Sequence, residues 1–106
     1  MKPVRDYHRD LIEDLRNPAE ASAYLNAALE AGDKQAFLMA LRNVLDAQGG
    51  MTSISERADM NRVSLYKMLS AGGNPGFENI MRLLQIAGVQ FQIVPKARLN
   101  SRKKAA

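Results

Sequence analysis

One hundred and six residues, 46% apolar and 25% charged, make one globular domain with a modest core and no room for a large enclosed active site. The absence of cysteine excludes disulfides, thiolate metal sites and cysteine catalysis, and no apolar run approaches the ~18 residues that cross a bilayer. A net charge of +4 hides a division: residues 1–50 hold six Lys/Arg against eight Asp/Glu, or −2, and residues 51–106 hold nine against three, or +6.

Residues 1–16 read as a charged N-terminal segment outside the main domain. The first clear helix is announced by Asn17-Pro18-Ala19-Glu20: a cap, a proline at the first helical position and an early carboxylate. Ala21, Tyr24, Leu25, Ala28 and Leu29 give it an apolar face, and Gly32 stops it. Asp33 caps a second helix whose stripe is Phe37, Leu38, Leu41, Val44 and Leu45, ending at Gly49-Gly50. Met39, Met60 and Met68 are read as core residues.

Ser53 to Leu69, SISERADMNRVSLYKML, reads as two short helices joined by a tight turn. Ser53 with Glu56 forms a capping-box pattern that starts the first at Ile54. Asp59 falls at the turn, where a left-handed residue is required; Asp tolerates that region better than most non-glycine residues. Asn61 caps the second helix, in which Leu65, Met68 and Leu69 form an inward stripe and Arg62, Ser64 and Lys67 stay outside. A helix-turn-helix divides its faces this way, with the second helix entering the major groove of duplex DNA.

After the loop Gly72-Gly73-Asn74-Pro75-Gly76, a further helix from Phe77 carries Ile80, Leu83, Leu84 and Ala87. Val89, Phe91 and Ile93 then alternate with Gln90 and Gln92, the period of a half-buried strand over residues 89–94. A lone strand leaves its backbone groups unpaired, so pairing across a two-fold axis in a homodimer is expected, with pairing to Pro3–Arg5 as the rival. Residues 96–106 form a basic tail, with Lys96, Arg98, Arg102, Lys103 and Lys104, that is expected to be disordered and to add phosphate affinity. The expected fold is therefore mainly α: a bundle of four to five helices with a helix-turn-helix of the phage-repressor type and one short C-terminal strand, residues 17–95 forming the DNA-binding domain.

Each candidate contact has two readings. Arg62 reads a base, guanine being the commonest bidentate partner of arginine, or meets a phosphate. Ser64 reaches a phosphate or base edge, or stays solvated. Tyr66 donates to a phosphate or supports the helix half-buried. Lys67 meets a phosphate or, with deep entry, a base. Asn61 caps its helix and contacts phosphate, because a helix N-terminus attracts anions. Asn74 is a further phosphate candidate.

The residues Pro18-Ala19-Glu20-Ala21, Ala23-Tyr24-Leu25-Asn26-Ala27-Ala28-Leu29, Gly32-Asp33, Ser64-Leu65-Tyr66-Lys67, Leu69-Ser70, Gly73-Asn74-Pro75, Leu83-Leu84 and Gly88-Val89 occur in the order of a known group. Over about residues 10–95 the chain resembles the addiction-module antidote proteins, helix-turn-helix antitoxins of type II, host-inhibition-of-growth-like toxin–antitoxin systems. It departs from their pattern with Asp59 for the usual turn Gly, Asn61 for a usual Ser, and Val63 for a usual polar residue. The resemblance implies an antitoxin that binds an mRNA-cleaving toxin and represses its own operon. Val63, a departure from the pattern, puts an apolar group near the groove, where a thymine methyl is the expected contact.

Toxin contact is expected in residues 1–33, where four Lys/Arg against seven Asp/Glu give −3, complementary to a basic RNA-cleaving partner. Tyr7, Leu11, Ile12 and Leu15 are either the apolar centre of that contact or packing residues of the domain. His8 has no triad partner and reads as solvated; Asp10, Glu13 and Asp14 share a helix face but lack the company a metal site needs. No catalytic residues, cofactors or metal are expected, the location expected is cytoplasmic, and no contact with a membrane is expected. Two rivals remain on sequence: a stand-alone helix-turn-helix repressor without a toxin partner, and an interaction adaptor on a helix-turn-helix scaffold that does not touch DNA.

Overall fold

The computed structural model describes residues 3–96. They form six helices: α1 (Val4–Asp14), α2 (Pro18–Glu30), α3 (Lys34–Ala47), α4 (Gly50–Arg57), α5 (Arg62–Met68) and α6 (Phe77–Ile86). Helix α3 is the hub, packing against α1, α2, α4 and α6. Its Leu41, Val44 and Leu45 are fully buried and meet a core that includes Leu15, Leu25, Ile54, Leu65 and Leu83. Burying such side chains contributes roughly 1.5–3 kcal/mol each before entropy is charged against them.

Three helix starts follow the side chains read from the sequence. Asn17 Oδ1 accepts from the Ala19 amide at 2.9 Å, Asp33 Oδ1 from the Gln35 amide at 2.9 Å and Asn61 Oδ1 from the Ser64 amide at 3.1 Å. Each satisfies an amide that the helix leaves without an internal partner.

Four expectations need correction. Residues 4–14 form a helix, α1, so the described helices number six rather than four or five. Helix α4 opens at Gly50 after Gly49, one turn before the Ser53–Glu56 pattern, and Ser53 lies inside it. Met39 is 65% exposed rather than core, because α3 turns that position away from its neighbours. Finally, no strand occurs among the described residues, and residues 89–96 have no regular structure. Val4 and Arg5 are helical, which removes the rival pairing, and among the described residues no other element offers an edge. Of the alternating residues, Val89 packs on the core and Phe91 stacks on Phe77 with ring centroids 5.8 Å apart, while Ile93 is 91% exposed. Of the basic tail only Lys96 lies within the described residues.

Candidate nucleic-acid interface

The turn between α4 and α5 is built from backbone hydrogen bonds. Asp59 has φ 54°, the left-handed conformation expected of it. The Asp59 amide donates to the Glu56 carbonyl at 3.2 Å and the Met60 amide to the Ser55 carbonyl at 2.9 Å. These two bonds are the signature of a Schellman cap, which satisfies the last carbonyls of a helix while reversing the chain. Ala58 and Ile54 below the turn are buried, so the reversal is anchored in the core.

Helix α5 has seven residues, too few to persist alone in water. It is held by Leu65 and Leu69, 0% and 3% exposed, and by the close approach of Gly73 to its C-terminal end. A Cβ on Gly73 would lie 2.1 Å from the Met68 carbonyl oxygen, so only glycine lets the following loop pass there. By helical geometry Val63 and Lys67 point directly away from Leu65 and Leu69, Arg62 and Tyr66 flank them on one side, and Ser64 on the other. All five are exposed, as are Asn61 at the helix start and Asn74 on the next loop. The sequence-predicted residues of α5 are thus all exposed, with Val63 and Lys67 outermost and Arg62 beside the buried stripe, and Asn74 lies on the separate loop after the helix.

Two of these side chains are held from neighbouring helices, which local sequence patterns do not signal. The Arg62 guanidinium donates to Thr52 Oγ1 on α4 at 2.7 Å. The Arg42 guanidinium of α3 lies over the Tyr66 ring, 5.2 Å from its centroid, a cation–π contact that supports Tyr66 from the side. Two other arginines of the basic half are used internally. Arg57 donates to the Gln48 carbonyl at 2.9 Å and the Ile86 carbonyl at 3.4 Å, and Arg82 to the Ala58 carbonyl at 3.2 Å, tying α4 to α3 and α6. Arg62 and Lys67 are the cations that α5 itself presents.

In the N-terminal segment the four apolar candidates separate. Tyr7 is 53% exposed, Leu11 and Ile12 are half-buried against the core, and Leu15 is 2% exposed. Leu15 is therefore a core residue and cannot meet a partner without unfolding of the α1 junction. His8 is exposed on α1 and borders an open cleft of about 430 Å³ with Met39, Arg42, Asp46 and Leu69. Burial pushes the Asp46 carboxyl above its ordinary value of 3.8, against the opposing pull of the Arg42 and His8 charges. Among the described residues no group of three or more His, Asp or Glu side chains is placed to hold a metal ion, and no helix is long and apolar enough to cross a membrane.

The sequence profile of the family described as "Probable addiction module antidote protein" matches residues 7–95. The chain belongs to that family. A relative from Haemophilus influenzae (strain ATCC 51907 / DSM 11121 / KW20 / Rd), described as an uncharacterized protein, is 34% identical over 84 residues, covering 79% of this chain and 86% of the relative. No solved structure matches the chain. The family match spans α2 to α6 whole and most of α1, so the acidic helix belongs to the antidote pattern along with the helical hairpin.

Proposed function

We propose that this protein is an antitoxin that binds operator DNA through α5, represses its own operon and neutralises a cognate mRNA-cleaving toxin by direct binding. The observation that carries the DNA-binding part is the α4–α5 hairpin: a Schellman turn at Asp59 leads into a helix that buries Leu65 and leaves Arg62, Val63, Ser64 and Lys67 exposed. Such a surface enters a major groove, where Arg62 reads a base edge, Val63 meets a thymine methyl, and Lys67, Ser64, Asn61 and Asn74 engage phosphates. Tyr66 acts as a support, given its contact with Arg42. The family supports a toxin as the second partner, and we place that contact on the acidic α1, centred on Tyr7 with Leu11 and Ile12 behind it.

The protein acts as a homodimer, in which the second copy covers the apolar Ile93, 91% exposed after α6. Ile93→Asp should then shift sedimentation toward monomer, and a persistent dimer would place the interface elsewhere.

The test is titration of a duplex carrying the sequence immediately upstream of the reading frame against a random duplex of equal length. Arg62→Ala should lose about 1–3 kcal/mol of preference for the upstream sequence. Equal binding of the wild type to both duplexes would refute operator recognition.

A further inference from the structure

We propose that Thr52 is a positioning residue for Arg62 and thereby sets how sharply α5 discriminates among DNA sequences. The inference rests on the reading of α5 as a DNA-contacting helix and extends it to a residue outside that helix. Thr52 lies on α4, ten positions before Arg62, and both side chains are exposed on the same side of the hairpin. The Arg62 guanidinium gives one N–H to Thr52 Oγ1 at 2.7 Å. An arginine fork carries five N–H donors in a fixed plane, so one bond to a hydroxyl orients the plane and leaves enough donors for a bidentate contact to a base.

The acceptor is itself fixed. Thr52 sits in the first turn of α4, and the buried Ser55 hydroxyl donates to its carbonyl at 2.8 Å. Its β-branched side chain has few rotamers to choose from. The same Ser55 provides the carbonyl that accepts from the Met60 amide in the Schellman turn. The position of Thr52 and the start of α5 are thus set by one residue, which keeps the Thr52–Arg62 distance tied to the hairpin geometry.

Without the hydroxyl, the long Arg62 side chain samples many rotamers and must be ordered when DNA binds. Immobilising such a side chain weakens binding by roughly two- to tenfold, and that penalty falls on the sequence-reading contact. Thr52 carries no charge, so its loss releases no counterions and leaves the salt dependence untouched.

The experiment measures affinity for the upstream duplex and the random duplex at several salt concentrations, for wild type, Thr52→Val, Thr52→Ser, Arg62→Ala and the Thr52→Val/Arg62→Ala double variant, with a thermal melt of each as a check on folding. Thr52→Val should lower the upstream-to-random affinity ratio by roughly two- to tenfold with an unchanged salt slope. Thr52→Ser should keep the wild-type ratio, and Thr52→Val should change nothing further in the Arg62→Ala background. The proposal is overturned if Thr52→Val weakens both duplexes equally, if its effect persists without Arg62, or if the ratio falls in Arg62→Ala but not in Thr52→Val. A wild-type protein with no preference, and variants that match it, would instead overturn the DNA reading on which the proposal stands.

Discussion

Helices α1 and α5 each turn an outer surface to solvent, and they are fixed in contrasting ways. The seven-residue α5 is capped by Asn61, entered through a hydrogen-bonded reversal, sealed by Leu65 and Leu69, blocked at its end by Gly73 and held at its surface by Thr52 and Arg42. The eleven-residue α1 has no side-chain cap at Pro3 and no buried residue within its span. It rests on α3 through the half-buried Leu11 and Ile12, and Leu15 just beyond its last turn drops into the core. The difference teaches where rigidity is invested. A base-reading surface gains from side chains placed before binding, whereas an apolar and acidic surface for a protein partner gains affinity from area and charge.

The largest effect should come from the residue that ties α1 down. Leu15→Ala removes a buried side chain and should cost about 2–5 kcal/mol in urea unfolding. Tyr7→Ala, on the exposed part of the same segment, should cost on the order of 0.5 kcal/mol of stability. It should nonetheless weaken toxin neutralisation while leaving operator binding intact. A Tyr7→Ala protein that neutralises as well as the wild type would move the toxin contact off α1.

Much of the contrast was legible in the sequence, and the reasons for the rest are physical. Asn17, Asp33 and Asn61 act on amides two or three residues away, so a local pattern carries their whole effect. Helix α1 lacks such a cap and owes its place to tertiary contact with α3, which no local window contains. Ser53-Glu56 imitates a capping box, but Gly49 precedes it with a backbone that already starts α4. The alternation of Val89, Phe91 and Ile93 reads as one half-buried face, yet among the described residues only the first two find packing partners. At the candidate interface, the exposed residues of α5 followed from helical spacing. Their supports Thr52 and Arg42 did not, nor did the ties that Arg57 and Arg82 make between α4, α3 and α6, because the partners lie 9 to 29 positions away or on another helix.

A smaller effect separates two chain reversals of the same kind. Helix α6 ends as α4 does: the Gly88 amide donates to the Gln85 carbonyl and the Val89 amide to the Leu84 carbonyl, each at 3.1 Å. Gly88 takes φ 82° without a Cβ to crowd it, while Asp59 adopts φ 54° with one. Asp59→Gly should therefore stabilise the fold by about 0.5–1 kcal/mol, the gain in backbone strain being offset in part by the freer unfolded chain. It also removes a carboxylate beside the proposed DNA surface, so affinity for both duplexes should rise. Asp59→Ala keeps the Cβ and loses the charge, which separates the two effects: tighter DNA binding without added stability. A Gly variant no more stable than the wild type would mean that the aspartate side chain offsets its own strain.

The smallest expected effect lies between the two regions. Asp46 on α3 feels His8 of α1 and Arg42, the residue that stacks on Tyr66 of α5. Burial raises its carboxyl above the ordinary 3.8 in the folded state, so the folded protein holds this proton to higher pH than the unfolded chain does. The sign follows from linkage: wherever the folded state binds more protons, stability falls as pH rises. The contribution of Asp46 is complete below 3.8, declines as pH climbs from there toward the raised value, and stays lost above it. Asn cannot ionise, so the stability of Asp46→Asn relative to wild type should be greater at pH 7 than at pH 3. The group is still reached by solvent, and screening keeps the change modest. A relative stability that is the same at both pH values would mean that Arg42 and His8 fully offset the burial, and that the junction of α1 with the α5 support is electrostatically balanced.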